Sequence, residues 1–162
     1  MRVHSLRGCG ILAACLFALP SCQLGSERCG PSSGVVARVL DGDTIELETG
    51  ERVRYLLIDT PEVSGGVECF GLEAKDLNTD LVLGKTVSLR YEAECTDKFD
   101  RLLAFVSLDG REINSLLLER GYACVLFIPP NGSERLDEFN QLESAAKAQD
   151  KGLWGNCETN PC

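Results

Sequence analysis

Histidine is almost missing from this sequence, because the one histidine is His4. Residues 5–162 therefore contain no imidazole, which excludes a Ser-His-Asp triad, a Cys-His pair and any other hydrolytic mechanism with a histidine base from that region. A general base there must be a carboxylate or a rarer group.

Positive charge is also scarce. Lysine and arginine together number 16 against 25 aspartates and glutamates, so the formal net charge is -9. A net charge of this sign repels polyanions and does not favour binding by counterion release from many phosphates. A site for nucleic acid would have to depend on a few local cationic groups.

The apolar run at the start of the chain is too short to span a bilayer as a stable helix. It covers residues 8–20, follows Arg2 and Arg7, and precedes a stretch of small residues. This layout predicts a secretory signal peptide over residues 1–21. A buried N-terminal helix is the alternative.

The end of this leader, Leu19-Pro20-Ser21-Cys22, resembles the bacterial lipobox, in which the cysteine becomes the lipidated first residue of the mature protein. Pro20 departs from the usual pattern, so cleavage without lipidation is the alternative. In both cases we expect export. The product would be a cell-envelope lipoprotein (periplasmic or attached to the outer membrane by a lipid anchor at Cys22) or a secreted protein.

The chain length favours one compact domain. Residues 22–33 are small, polar and rich in Gly and Pro, which predicts a flexible tether. We expect a folded, monomeric domain at residues 34–157 and a short tail at residues 158–162.

Nine cysteines are present, and six of them follow Cys22. An even number in an exported chain predicts three disulfides, which can pair in fifteen ways. Zinc is not expected, because no two of the six have C-x-x-C spacing and no histidine accompanies them. The six are Cys29, Cys69, Cys95, Cys124, Cys157 and Cys162.

Short runs of β-branched and apolar residues alternate with turn residues and with segments of helical periodicity. This pattern predicts an α+β domain with five or so strands and two or three helices. The predicted strands are residues 35–40, 44–47, 53–58, 86–91, 102–108 and 123–128, and the predicted helices are residues 68–83, 113–120 and 133–150.

Two acidic segments lie where a predicted strand meets a turn, namely DGDT (41–44) and DTPE (59–62). Hard oxygen ligands without thiolate or imidazole suit Ca²⁺ or Mg²⁺ better than a transition metal. Taken alone, either segment is more simply explained as a capped β-turn.

The neighbouring residues strengthen the metal hypothesis. VLDGDTIEL (39–47), VRYLLIDTPE (53–62) and TDKFDRLLAF (96–105) resemble the staphylococcal nuclease family in order and separation, and similarity extends over residues 34–154 through ECFGLEA (68–74), DGREINSLLLERGYACV (109–125) and GLW (152–154). The resemblance implies a five-stranded OB-type β-barrel packed with three α-helices. It also implies a calcium-dependent endonuclease that hydrolyses DNA or RNA and leaves 3′-phosphate ends.

The resemblance assigns the calcium ligands. They would be the carboxylates of Asp43 and Asp59 and the backbone carbonyl of Thr60. Asp41 would lie beside the metal, in its outer shell or as a turn-forming residue.

The same resemblance implies that Glu62 is the general base and that Arg54 and Arg101 are the catalytic arginines. Their planar donors suit the charge that develops on a reacting phosphate. Considered alone, Arg54 would be an exposed strand residue, and Arg101 would form a surface ion pair with Asp97 or Asp100.

Further positions concern the substrate. Lys98 matches a family lysine that helps to hold a terminal phosphate, although it could also be an ordinary turn lysine. Phe99 and Phe127 stand where the best-known member has tyrosines that contact nucleotide, so stacking is retained while phenolic hydrogen bonds are lost. Asp100 replaces a glycine and adds negative charge beside Arg101.

The cysteines are additions to the family pattern. Cys69 and Cys95 lie beside segments of the predicted site, and Cys157 lies near the end of the chain. We expect Cys69 to pair with Cys95 and Cys124 with Cys157.

Two other functions stay open. The same fold could be a non-catalytic nucleic-acid- or protein-binding module of the cell envelope, although such domains tend to lose the acids and arginines that this chain keeps. A structural envelope lipoprotein that uses the barrel only as a scaffold is supported solely by the leader and the net charge.

Overall fold

The computed structural model describes residues 29–159. The predicted signal peptide, Cys22 and Cys162 lie outside these residues. The strands are Ser33–Val39 (β1), Thr44–Leu47 (β2), Arg52–Tyr55 (β3), Ile58–Asp59 (β4), Thr86–Arg90 (β5), Leu102–Leu108 (β6), Arg111–Glu112 (β7) and Cys124–Val125 (β8). The helices are Gly71–Val82 (α1), Ile113–Glu119 (α2), Leu136–Ala148 (α3) and Leu153–Asn156 (α4). Within residues 29–159, no helix has both the length and the apolar character to cross a membrane.

Five strands close into a barrel. The order β3-β2-β1-β5-β6 is antiparallel throughout, and β3 also pairs with β6 in parallel, with Val53 opposite Leu102 and Tyr55 opposite Ala104. This last pairing joins the two edges of the sheet. Helix α1 packs against β1, α2 packs against β6, and α3 packs against α2. The α+β fold with an OB-type barrel is confirmed.

The side chains of β3 point alternately into the barrel and away from it. Val53 and Tyr55 are 0% and 1% exposed and lie in the core, where Phe105 and Leu117 are also buried. Successive strand residues point to opposite faces. Arg54 therefore points away from the barrel interior.

The predicted strand over residues 53–58 is wrong, because the chain bends sharply inside it. Leu57 has φ 63, a left-handed conformation that a regular strand cannot contain. Strand β3 ends at Tyr55, and β4 pairs instead with β8 in a separate two-stranded sheet. The predicted strand over residues 123–128 likewise shrinks to the two residues of β8.

The first helix is shorter than predicted. Phe70 precedes α1 with φ 72, so residues 68–70 are not helical and the helix begins at Gly71. The third helix begins at Leu136 rather than at residue 133, and the short helix α4 was not predicted.

Two disulfides are described, and they correct the predicted pairing. Cys29 pairs with Cys95, and Cys69 pairs with Cys157. The predicted pairs Cys69–Cys95 and Cys124–Cys157 are wrong, because folding brings the start of α1 to the end of α4 and not to residue 95. Cys124 is disulfide-bonded as well.

The described end of the predicted tether lies against the barrel. Besides the bond from Cys29, the Tyr91 hydroxyl donates to the Pro31 carbonyl at 2.8 Å, and the Leu89 N–H donates to the Ser32 carbonyl at 2.8 Å. Residues 29–33 are therefore held by contacts on the side of β5.

Candidate active site

A cavity of about 420 Å³ lies beside the bend that follows β3. Its walls come from residues 54–58, from residues 94–103 and from the segment after β8. Three cationic side chains and two acidic ones line it, and most of the other lining residues are apolar. The charged residues are Arg54, Lys98, Arg101, Glu94 and Asp97. Both arginines that the sequence predicted as catalytic thus share one cavity.

Arg54 is held by four polar partners. One Nη atom lies 2.8 Å from Asp43 Oδ2 and the other 2.5 Å from Asp59 Oδ1. The same guanidinium also donates to the carbonyls of Ile58 at 2.8 Å and Tyr55 at 3.2 Å. Its side chain is only 11% exposed, so the alternative of an exposed strand residue is wrong. The bend at residues 56–58 creates this setting by turning Ile58 and Asp59 back toward Arg54.

Asp43 is a buried carboxylate. Its Oδ2 accepts hydrogen bonds from the Thr60 N–H at 2.8 Å and from the Thr60 hydroxyl at 3.1 Å. Burial raises the pKa of Asp43 to about 7, the charge of Arg54 opposes this shift, and the nearby carboxylates of Asp41 and Asp59 add to it. The region around Asp43 therefore concentrates negative charge in a poorly solvated place.

The turn at residues 41–43 packs closely against Thr60. The Asp41 carboxylate accepts the Asp43 N–H at 3.1 Å, which is the turn-forming role considered for Asp41. A Cβ added at Gly42 would lie 2.7 Å from Thr60 Oγ1, so only glycine lets the turn approach Thr60 this closely. Asn78 of α1 donates to the Asp41 carbonyl at 3.3 Å and ties the turn to the helix.

The predicted metal ligands can be tested by their donor chemistry. Asp43, Asp59 and the Thr60 carbonyl are all hard oxygen donors, and the two carboxylates converge on a single guanidinium. Within residues 29–159, no group of three or more His, Cys, Asp or Glu side chains is arranged to hold a metal ion. Two carboxylates and one carbonyl still fit calcium, because Ca²⁺ takes six to eight oxygens and accepts waters among them.

Glu62 lies three residues beyond β4 and is exposed. Its N–H donates to Glu68 Oε2 at 2.8 Å, and its carbonyl accepts the Glu68 N–H at 2.9 Å. Glu62 is not among the residues that line the cavity. Its carboxylate makes no hydrogen bond or ion pair with another residue in the range 29–159.

Arg101 is held by one acidic neighbour. Its Nε and Nη2 atoms both lie 2.7 Å from Asp97 Oδ2, and its N–H donates to Asp97 Oδ1 at 3.1 Å. The surface ion pair considered as an alternative is therefore present. Partial burial raises the pKa of Asp97, but the hydrogen bonds from Arg101 and Phe99 and the charge of Arg101 bring it below its usual value.

Of the predicted substrate residues, two line the cavity. Phe99 is 57% exposed, and Lys98 Nζ lies 5.0 Å from the centre of its ring. Phe127 is 36% exposed but does not line the cavity, whereas its neighbours Leu126 and Ile128 do. The exposed apolar surface at the cavity mouth is thus formed by Phe99, Leu126 and Ile128.

The sequence interpretation missed Asn131, which holds the backbone of Glu94 at the wall of the cavity. Asn131 is 3% exposed, accepts the Glu94 N–H at 2.9 Å and donates to the Glu94 carbonyl at 2.8 Å. This double contact fixes the backbone of residue 94 beside the disulfide at Cys95. Only the turn sequence around Asn131 could have suggested a structural role for it.

Comparison with known proteins gives a consistent result. Residues 52–156 match the family described as "Staphylococcal nuclease homologue". Endonuclease YncB of Bacillus subtilis (strain 168) is 35% identical over 124 residues, which cover 72% of this chain and 59% of the relative. The thermonuclease of Staphylococcus intermedius is 34% identical over 128 residues, which cover 75% of this chain and 76% of the relative.

The coverage differs among these relatives. The SPbeta prophage-derived endonuclease YokF of Bacillus subtilis (strain 168) is 35% identical over 124 residues, which are 72% of this chain but only 42% of the relative. The chain therefore spans about half the length of these two Bacillus relatives.

Proposed function

This chain belongs to the staphylococcal nuclease family, and we propose that it is a calcium-dependent endonuclease that hydrolyses DNA or RNA. One observation carries the proposal: Arg54 and Arg101, from distant parts of the chain, line a single cavity next to the paired carboxylates of Asp43 and Asp59. The family's fold supports it, and so do the relatives that are called endonucleases or thermonucleases.

The two arginines would bind the phosphate that reacts. A guanidinium presents planar donors that match phosphate oxygens, and such contacts are strongest where charge develops in the transition state. Arg54 is already oriented by its two carboxylates, and Arg101 is oriented by Asp97. Lys98 adds a third cation at the cavity and would contact a further phosphate of the strand.

Glu62 would be the general base. Its exposed carboxylate can accept a proton from a water molecule that attacks phosphorus in line with the leaving 5′ oxygen. A bond forms from the water oxygen to phosphorus, and the bond from phosphorus to the 5′ oxygen breaks. The leaving 5′ oxygen would take up a proton from solvent water, so the products would be a 3′-phosphate and a 5′-hydroxyl end.

Calcium completes the proposed site. Asp43, Asp59 and the Thr60 carbonyl would hold the ion, and a bound ion would supply positive charge that stabilises a reacting phosphate. The arginines, Lys98 and this ion would make a local positive region on a chain whose net charge is -9. Because few phosphates would be contacted, the affinity should fall only gently with added salt.

We also propose that the protein acts outside the cytoplasm, as a lipoprotein anchored at Cys22 or as a secreted protein. The disulfides Cys29–Cys95 and Cys69–Cys157 support this location, because such bonds persist in oxidising compartments. Mass spectrometry of the mature N-terminus tests the anchor. A diacylglyceryl Cys22 is expected, and an unmodified terminus at another residue would remove the anchor.

The activity can be tested with the purified oxidised protein. Single-stranded DNA, RNA and duplex DNA are incubated with calcium and, in parallel, with a chelator, and a Glu62→Gln preparation controls for contaminating nucleases. We expect cleavage that needs calcium and yields 3′-phosphate ends. Binding without cleavage of any of the three substrates would contradict the proposal and favour the non-catalytic binding module.

A further inference from the structure

We propose that Glu68 is a positioning residue for Glu62 and that the Cys69–Cys157 disulfide holds Glu68 in place. The inference rests on the proposed function, in which Glu62 is the general base. It concerns a part of the molecule that lies outside the cavity, at the start of α1.

The Glu62 side chain has little to fix it. Its carboxylate is exposed and forms no hydrogen bond with another residue in the range 29–159. A general base works only if it lies within about 2.6 to 3.2 Å of the water that it deprotonates. The position of the Glu62 backbone therefore decides where its carboxylate can reach.

Glu68 fixes that backbone with two hydrogen bonds. The Glu68 carboxylate accepts the Glu62 N–H at 2.8 Å, and the Glu68 N–H donates to the Glu62 carbonyl at 2.9 Å. Together they close the loop of residues 62–68 at its base. The tip of this loop contains Gly65 and Gly66, both with positive φ, and a Cβ added at either would meet no atom within 4 Å.

Helix α1, which follows this loop, also contacts the backbone of Glu62. A Cβ added at Gly71 would lie 2.7 Å from the Glu62 carbonyl oxygen, so the first turn of α1 packs directly against the backbone of Glu62. Phe70 packs edge-on against Tyr122, with ring centres 4.9 Å apart. The start of α1 is thus anchored to the body of the protein on one side and contacts Glu62 on the other.

The Cys69–Cys157 disulfide restrains Glu68, which directly precedes Cys69. Cys69 follows Glu68 directly and is bonded to Cys157, which follows α4. Helix α4 is in turn attached to the loop after α2, because the Leu153 N–H donates to the Gly121 carbonyl at 2.8 Å. A chain of contacts therefore runs from the end of the domain to the backbone of Glu62.

The test compares the kcat and KM of Glu68 variants at saturating calcium. Glu68→Ala removes the acceptor of the Glu62 N–H and should lower kcat about 10-fold or more, since a shift of about 1 Å in a reacting group can cost about 100-fold. KM should stay within about twofold, because the phosphate-binding arginines are untouched. Glu68→Gln keeps an acceptor oxygen and should restore most of kcat.

Matched variants separate positioning from general damage. Glu73→Ala removes an exposed glutamate from the first turn of α1 and should leave kcat unchanged. The double variant Cys69→Ser/Cys157→Ser should lower kcat while KM is kept. A Glu68→Ala enzyme with the kcat of the parent, or one that Glu68→Gln does not improve on, would overturn the inference.

A double-mutant cycle distinguishes this inference from the proposed function itself. If Glu68 acts through Glu62, adding Glu68→Ala to Glu62→Gln should cause no further loss of rate. Additive losses would overturn the positioning role while leaving Glu62 as the base. A Glu62→Gln enzyme as fast as the parent would instead overturn the proposed role of Glu62, whatever Glu68→Ala does.

Discussion

The two arginines of the cavity are held in different ways. Arg54 is 11% exposed and is enclosed by two carboxylates and two backbone carbonyls, which come from the turn before β2, the end of β3 and the short strand β4. Arg101 is 25% exposed and depends on one carboxylate, that of Asp97, four residues earlier in the same turn. The first arginine is part of the fold, and the second is presented by a surface turn.

This difference separates a role in stability from a role in catalysis, whereas a family resemblance assigns both arginines the same catalytic role. Removal of Arg54 should disturb both the fold and the chemistry, because the buried carboxylate of Asp43 would lose its partner. Removal of Arg101 should disturb the chemistry alone, because a partly exposed ion pair on a surface turn contributes little to stability. The following variants test the contrast.

The largest effect is expected for Arg54→Ala. Without its partner, the buried Asp43 is left unpaired next to Asp59, so the free energy of unfolding should fall by about 3 to 5 kcal/mol. Urea denaturation in the presence of a chelator measures this change. Arg38→Ala is the control, because Arg38 is 64% exposed and its loss should change stability little. A stability equal to that of the parent would contradict the structural role of Arg54.

Arg101→Ala should reduce activity without reducing stability. Loss of one charged donor to the reacting phosphate should lower kcat roughly 100- to 1000-fold. The free energy of unfolding should change by at most about 1 kcal/mol, as for other partly exposed ion pairs. The urea assay measures the change in the free energy of unfolding, and a cleavage assay with saturating calcium measures kcat. If Arg101→Ala destabilised the protein as much as Arg54→Ala, the contrast between the arginines would be lost.

Asp97→Asn should reveal a dependence of stability on pH. The pKa of Asp97 is below its usual value in the folded protein, so its carboxylate stabilises the fold above the unfolded pKa of about 3.9. This contribution is lost as the pH falls through the lower folded pKa. The parent should therefore be more stable than the variant at neutral pH, and the difference should close below about pH 4. Thermal melts between acidic and neutral pH measure it, and a difference that grew on acidification would contradict the assignment.

The smallest effect is expected for Asp100→Gly. Asp100 has φ 59, which glycine adopts more readily, and its charge lies beside Arg101. Removal of that charge should tighten binding of single-stranded DNA about twofold at low salt, and high salt should abolish the gain. Asp109→Gly is a matched control with φ 50 at the turn before β7 and away from the cavity. Equal gains in affinity for both variants would exclude a local effect of Asp100.

Part of the fold was predictable from local pattern. Strand β6 and helix α2 coincide closely with the predicted residues 102–108 and 113–120, because their periodicity is regular. The strand predicted over residues 53–58 failed at Leu57, whose left-handed conformation depends on tertiary contacts rather than on residue type. The disulfide pairing failed because spacing along the chain does not reveal which segments meet in space.

The contacts of the predicted site residues could not be read from the sequence. The resemblance selected Arg54 and Arg101, and the structure brings both to one cavity. It did not reveal that Arg54 bridges Asp43 and Asp59, since a sequence does not show which way a strand side chain turns after a bend. The roles assigned to these residues in catalysis stay predictions.

The proposed roles of Glu62 and calcium can be tested by the rate of cleavage of one labelled single-stranded DNA, compared between the parent and Glu62→Gln at saturating calcium and between calcium and chelator for the parent. We expect the parent to cleave only with calcium and the variant to be slower by about 100- to 10,000-fold, the usual contribution of a placed general base. The folded stability of the variant should match that of the parent, because Glu62 is exposed. A variant that cleaves as fast as the parent would contradict the role of Glu62, and a parent that cleaves equally well with chelator would contradict the role of calcium.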